Sequence, residues 1–281
     1  MNPGLALTEA ADRLEVHLAG RPLWTYVYAP ATPAQEAPRP YFHPLYSADG
    51  DLLTNFRPND HPWHHGLSLT VTSVAGVNFW GGPSHRAGEG YRWRGDQGRQ
   101  VHAGWVARGA ARLEEAVEWR SPAGEVLLRE ERVLATDVLP DGWALDWTSR
   151  LWNAADRPLV LSNYHAGGGL AGSHYTGLQF RGARELLDEH GDATLGVSGP
   201  GGRRGEAEVH GVPAPWLEWS CQHDGSLRRT KIRFESRTGP IPWFVRAENP
   251  LAAFAFHADA PVILPAGGDL LLDHRLEFLR A

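Results

Sequence analysis

The chain of 281 residues carries 27 Lys and Arg against 33 Asp and Glu, a formal net charge of -6, with 42% hydrophobic residues and 12 Trp. It can bury a sizeable core, and its mildly acidic balance supplies no basic field for nucleic acid or an anionic membrane. A single cysteine, Cys221, excludes an internal disulfide framework and a Cys-rich zinc site, and with no signal-like or membrane-spanning apolar run a soluble cytoplasmic protein is expected.

Residues 13–18 alternate, with Leu14, Val16 and Leu18 on one face, and a turn through Gly20 and Pro22 leads into residues 23–28, so an opening hairpin is expected. Pro30, Pro33, Pro38 and Pro40 make the next ten residues irregular. Residues 41–82 then gather His43, His61, His64 and His65 beside Asn55, Arg57, Asp60, Trp63 and Trp80. Polar and aromatic groups this dense are costly to bury unless each finds a partner, which marks a hydrogen-bonded scaffold or a working site; the working site is the favoured reading.

His61-Pro62-Trp63-His64-His65-Gly66 runs directly into a period-2 pattern over residues 67–72. If that strand extends back through Gly66, His64 and His65 point to opposite sides, so one reaches a ligand while the other is held inside. Which of the two faces the cleft is open at this level. Residues 81–100 read as a polar loop, and Trp93 and Trp105 as loop tryptophans near the His-rich stretch. Strands are expected at 113–120 and 125–136 about a turn at 121–124, at 143–151, where Trp143 and Trp147 belong to the core, and at 159–165. Segment 170–215 is the least regular, with a short helix over 183–189 or a hairpin about 189–192. Further strands are expected at 216–220, 227–235, 242–246, 251–257 and 270–278. His274, on an apolar strand face, reads as a satisfied core histidine.

No window shows a sustained 3.6-residue period, while strand and turn signals recur to the end. The expected fold is all-β, a large two-sheet antiparallel β-sandwich, one domain over residues 1–281.

The candidate catalytic residues are His61, His64, His65 and His165, the last at a strand end before Gly167, Gly168 and Gly169. Imidazole can move a proton on a sugar ring oxygen or from a carbon beside a carbonyl. His43, Asn55, Trp63, Trp80, Tyr164 and Arg246 are candidates for holding substrate, since indole faces make platforms for sugar rings; His257, Asp259 and Glu248 could line the same cleft. A divalent transition metal on His61 and His65, with His43 or Asp60 as further donors, is the alternative, imidazole plus carboxylate suiting zinc, manganese or iron. The chain lacks the motifs of serine hydrolases, P-loop enzymes and dinucleotide binders, and no carboxylate pair stands out for glycosidase chemistry.

The blocks Arg39-Pro40-Tyr41-Phe42-His43-Pro44-Leu45, Asp60-His61-Pro62-Trp63-His64-His65-Gly66 and Val77-Asn78-Phe79-Trp80 resemble the bacterial PmoA-like family, as do Ala214-Pro215-Trp216-Leu217-Glu218-Trp219 and Trp243 through Pro250. Particulate methane monooxygenase is a membrane assembly, so methane oxidation is not carried over to this chain. The resemblance implies a galactose-mutarotase-like sandwich, of a kind that binds sugars on a concave sheet face where His and an acidic residue exchange protons. The functional expectation is a carbohydrate-active enzyme, an epimerase, lyase or hydrolase acting on a sugar or oxidised sugar, with a small-molecule carbohydrate as its partner. A non-catalytic carbohydrate-binding sandwich is the first alternative and a metal-dependent oxygenase the second.

Overall fold

Strands that are apolar on one face must bury it against another sheet, and this chain does so with two large antiparallel sheets. The computed structural model describes residues 4–187 and 195–281. The nine-stranded sheet runs Leu5–Glu9, Arg13–Leu18, Arg21–Val27, Tyr41–Leu45, Leu67–Val71, Thr176–Arg181, Leu251–Phe254, Ile241–Arg246 and Pro213–Ala214. The ten-stranded sheet follows the path Arg203–Arg204, Gly196–Gly199, Trp216–His223, Arg229–Ser236, Asp269–Arg280, Gly142–Asn153, Val126–Leu139, Arg112–Arg120 and Arg99–Gly109, with Leu186–Leu187 paired to Trp216–His223 off that path.

The expected two-sheet sandwich is what the chain forms. Its core lies between the sheets, where Trp119, Trp143, Trp147, Trp219 and Trp243 are fully buried, each large aromatic contributing about 1.5–3 kcal/mol or more by area. Alternation sets the facing. Leu67, Leu69 and Val71, with Leu178, Phe180, Trp243, Val245, Ala252 and Phe254, point into this core. The intervening residues of the same strands, Gln179, Arg181, Phe244, Arg246, Leu251 and Ala253, therefore lie on the face turned away from it. Phe244, Leu251 and Ala253 form a separate small apolar cluster there, with Tyr175 packed against them.

Several expectations are corrected. Residues 81–100 are not all loop, because Ser84–Arg86 and Gly90–Arg92 pair as a hairpin. Trp105 sits in the strand Arg99–Gly109 and packs on Tyr26 and Tyr28. Segment 170–215 contributes Thr176–Arg181, a central strand buried on both faces. Residues 183–185 form a turn and Leu186–Leu187 a short strand rather than helix, and residues 188–189 of the expected helix, with the hairpin about 189–192, lie outside the described residues. His274 is in the core against Phe254, ring centroids 4.2 Å apart, but it is not satisfied: neither ring nitrogen has a partner. Its strand turns it into apolar surroundings, and burial lowers its pKa to about 3.

Candidate functional site

On the outer face of the nine-stranded sheet lies a cavity of about 800 Å³, in the range of small-molecule sites. Its walls include His61, His64, Trp63, Trp80, Tyr91, Tyr164, Tyr175, Arg181, Phe244 and Arg246, with Glu206, Glu248 and Asn249 beside them. Among the described residues, this is where the His-rich stretch, the centre of the sheet and the hairpin meet.

The turn that carries the histidines is pinned through its backbone. His64 N donates to His61 O at 3.0 Å, Arg57 N to His64 O at 2.9 Å, and Gly66 N to Asn55 O at 2.9 Å. Gly66 has φ +47°, and a Cβ there would lie 2.0 Å from Phe42 O, so the sharp exit after His65 needs glycine. The strand therefore begins at Leu67 rather than extending back through Gly66. The next anchor is Arg181, whose N donates to Gly66 O at 2.8 Å while its O accepts from Asn55 N at 2.9 Å. Main-chain bonds thus hold the sheet centre against the His turn.

His64 and His65 have opposite surroundings. His64 lines the cavity, stacks on His61 at 5.0 Å and meets Trp80 edge-on at 5.7 Å. Burial, with the charges of Arg181 and His61 adding to it, drives its pKa well below the usual imidazole value, so it is neutral at pH 7. His65 is fully buried and turned inward, its Nε2 2.9 Å from Glu36 Oε2. Burial lowers it to about 4, against the pull of Glu36. Arg57 grips the same carboxylate through Nε and Nη2, at 3.0 and 2.8 Å. Burial works to raise Glu36, yet His65 and Arg57 hold it below its ordinary value. The His65 cluster is a bracket behind the wall.

His61 is half-exposed, and its Nδ1 lies 3.0 Å from Asp60 Oδ2. Asp60 also accepts from Arg184 at 2.6 Å. Burial alone would raise the Asp60 carboxyl, but His61, its own backbone and Arg181 hold it below the usual carboxylate range.

The aromatic wall has its own supports. Arg39, fully buried, donates from Nη2 to Trp63 O at 2.7 Å and from Nε to Ser68 Oγ at 3.0 Å. Asn78 Oδ1 accepts from Trp80 N and Gly81 N, both at 2.9 Å, and its Nδ2 donates to Gly82 O at 3.2 Å. Trp93, largely exposed, meets Trp63 edge-on at 6.2 Å. Tyr91 and Tyr164 stand 5.7 Å apart, and burial raises both phenols, Tyr175 adding to it in each case. They stay protonated as hydrogen-bond donors.

The other sequence candidates are distributed elsewhere. His43 and Asn55 line a separate shallow depression with Thr54, Phe56 and Arg184. His43 Nδ1 is 2.9 Å from Thr54 Oγ1, and its ring stacks on Phe56. His165 is not part of the cavity wall: its Nδ1 accepts from Gly172 N at 3.1 Å and its Nε2 is 2.9 Å from Asp259 Oδ1. It stacks on His174, which in turn approaches His210. His257 is bound into Asn163. Arg246 does reach the cavity, paired with Glu206 at 3.0 Å and lying over Phe244 at 4.5 Å. Among the described residues no group of three His, Cys, Asp or Glu side chains is arranged to hold a metal ion, and His65 Nε2 is already engaged by Glu36. Cys221 is buried, as a small apolar residue. No described helix is long and apolar enough to cross a membrane.

Arg181, Tyr91, Tyr175 and Phe244 were not candidates from sequence. The only available signal was the block Trp243-Phe244-Val245-Arg246, in which alternation places Phe244 and Arg246 on one face.

Comparison with known proteins places these features in context. A family model described as "Family of unknown function (DUF6807)" matches residues 13–280; the name PmoA-like receives no support from it. No curated protein matches the sequence. Among solved structures, a galactose mutarotase-like protein from Lactobacillus casei ATCC 334 is similar at 9% identity and TM-score 0.44, covering 98% of this chain and 100% of that one. A polysaccharide lyase is similar at 8% identity and TM-score 0.41, covering 99% of this chain and 32% of the lyase.

Proposed function

Because the chain belongs to the DUF6807 family, whose function is unknown, its activity has to be read from its own site, and we propose that the cavity binds a carbohydrate on which His61 moves a proton. The observation that carries this reading is His61 set 3.0 Å from the Asp60 carboxylate at the wall of an aromatic-sided cavity. Trp63, Trp80, Tyr164 and Tyr175 offer ring faces to the apolar faces of a sugar, and His64, Arg181 and the phenols offer hydrogen bonds to its oxygens.

In this reading Asp60 acts on the imidazole by its charge, 3.0 Å from Nδ1 though not aligned for a hydrogen bond, leaving Nε2 for the ligand. A proton leaving a carbon beside a carbonyl passes to Nε2, and the imidazolium formed is stabilised by Asp60. Neutral His64, stacked beneath, adds no competing positive charge. Epimerisation requires a second acid on the opposite face of that carbon, a part open to the protonated Tyr91 and Tyr164 phenols of the cavity wall, and elimination expels an oxygen from the adjacent carbon with the proton held on the imidazolium.

The test is incubation with a panel of sugars and sugar acids in deuterated water, with proton NMR following exchange at carbon. The expected result is exchange or turnover by wild type, reduced about 10²–10⁴-fold in His61→Ala, with the ligand-induced rise in Tm retained. Binding by wild type with no exchange on any member would sink the catalytic reading and favour a non-catalytic carbohydrate-binding sandwich.

A further inference from the structure

Arg181 is 2% exposed and lines the cavity, yet its Nε and Nη2 have no hydrogen-bond partner, and Nη1 reaches only Asn249 O at 3.4 Å. Among the described residues no carboxylate stands within ion-pairing distance of it. A buried guanidinium with no ion pair and one long hydrogen bond is destabilising, the charge of Asp60 offsetting burial only from beyond ion-pairing distance, so its position calls for a ligand. Arg39 makes the contrast: equally buried without an acid partner, it donates to Ser68 Oγ and to three backbone carbonyls.

The geometry of the donors identifies the ligand group. Nε and Nη2 form one edge of the guanidinium, the edge that grips a carboxylate with two parallel bonds. This chain uses that edge repeatedly: Arg57 on Glu36, Arg132 on Glu130 at 2.7 and 2.8 Å, and Arg228 on Asp51 at 2.8 and 2.6 Å. Gln179, two residues before Arg181 on the same strand face, is fully buried with neither amide atom partnered. Gln179 is not itself part of the cavity wall, so the unpartnered Arg181 edge is the donor that meets the cavity.

We propose that Arg181 anchors a carboxylate of the ligand, so that the cavity takes an acidic sugar, a uronate or aldonate, in preference to its neutral parent. A singly charged planar carboxylate fits better than a phosphate, because the other cavity arginine, Arg246, is neutralised by Glu206 and Glu248 adds negative charge at the rim. This assignment rests on the carbohydrate reading above and extends it: a carboxylate held by Arg181 withdraws charge from the neighbouring carbon and eases the loss of its proton.

Isothermal titration calorimetry of the full chain tests it, with D-glucuronate, D-galacturonate and D-gluconate set against D-glucose, D-galactose, glucose 6-phosphate and ring-free succinate. At least one acidic sugar is expected to bind about tenfold or more tighter than its neutral parent, with the preference abolished in Arg181→Gln. Equal binding of acids and neutral sugars, or tighter binding of glucose 6-phosphate, would overturn the anchor and leave the carbohydrate reading standing. Succinate binding as tightly as the sugar acids would keep the anchor and sink the carbohydrate reading, and binding of none would sink both. Thermal melts of ligand-free Arg181→Met supply an independent readout. A Tm at or above that of wild type is expected, and a clear drop would mean that Arg181 is held by the protein itself.

Discussion

His65 lies against Tyr41 and Phe56, with ring centroids 5.4 and 5.3 Å away, and its Nε2 donates to a carboxylate that is itself buried. Truncating it removes packed ring atoms and leaves Glu36 with Arg57 as its single charged partner. His65→Ala is therefore expected to lower stability by about 2–4 kcal/mol, read from urea midpoints at constant m. His61 is half-exposed with one charged neighbour, so His61→Ala is expected to stay within about 0.5 kcal/mol of wild type. Equal losses in the two variants would mean that His61 is structural as well. Sequence predicted that adjacent imidazoles would diverge, but not which one would meet the cavity. That choice depended on Glu36, which is 29 residues away in the chain and carries no signal of its own. Arg181 was illegible for a similar reason: its role comes from what fails to surround it, and a pattern of residue types does not record absent neighbours.

The loop after Asn78 shows the same dependence for an element. Gly82 has φ +71°, and a Cβ there would lie 2.5–2.8 Å from the Trp63 ring. Trp63 therefore takes its place in the wall because the loop passes flat beneath it. Gly82→Ala is expected to cost about 1–3 kcal/mol from overpacking, beyond the cost of positive φ, and to shift the tryptophan fluorescence. Gly76→Ala, at φ +86° with nothing within 4 Å of the added carbon, isolates the φ cost. If the two variants lose the same stability, the ring contact is soft and Trp63 is not held this way. The central strand Thr176–Arg181 was hidden from periodicity because all six positions are buried: one face packs in the sandwich and the other under the cavity. Strands with one solvated side, such as Arg112–Arg120 and Trp216–His223, alternate cleanly and were legible.

At the scale of the molecule, burial keeps a set of histidines as neutral rings, His64 and His223 among them. Burial lowers His43, His65, His174 and His257 to about 4 and His274 to about 3, from an ordinary 6.5. Their folded values lie below their unfolded ones, so between these limits the unfolded chain binds more protons. Stability is complete above about pH 6.5 and is lost as pH falls toward 4, each group contributing up to about 1.4 kcal/mol per pH unit within that window. Thermal melts from pH 7.5 to 4.5, expected as one transition, check this, and His274→Leu should flatten the slope. A Tm independent of pH over that range would mean the rings are solvated. Composition and period-2 alternation by themselves determined an all-β chain and a two-sheet sandwich, because one-sided burial writes itself into successive residues. The His-rich stretch likewise pointed to a polar, aromatic surface, and part of it lines the cavity. Only the tertiary structure decided which of its members share a cavity, since His43 and Asn55 turn to another depression, His165 turns to Asp259, and Arg181 arrives from a strand more than a hundred residues onward. Site membership depends on which strands become neighbours across a sheet, and that pairing is fixed by long-range hydrogen bonds and by the packing of the whole core.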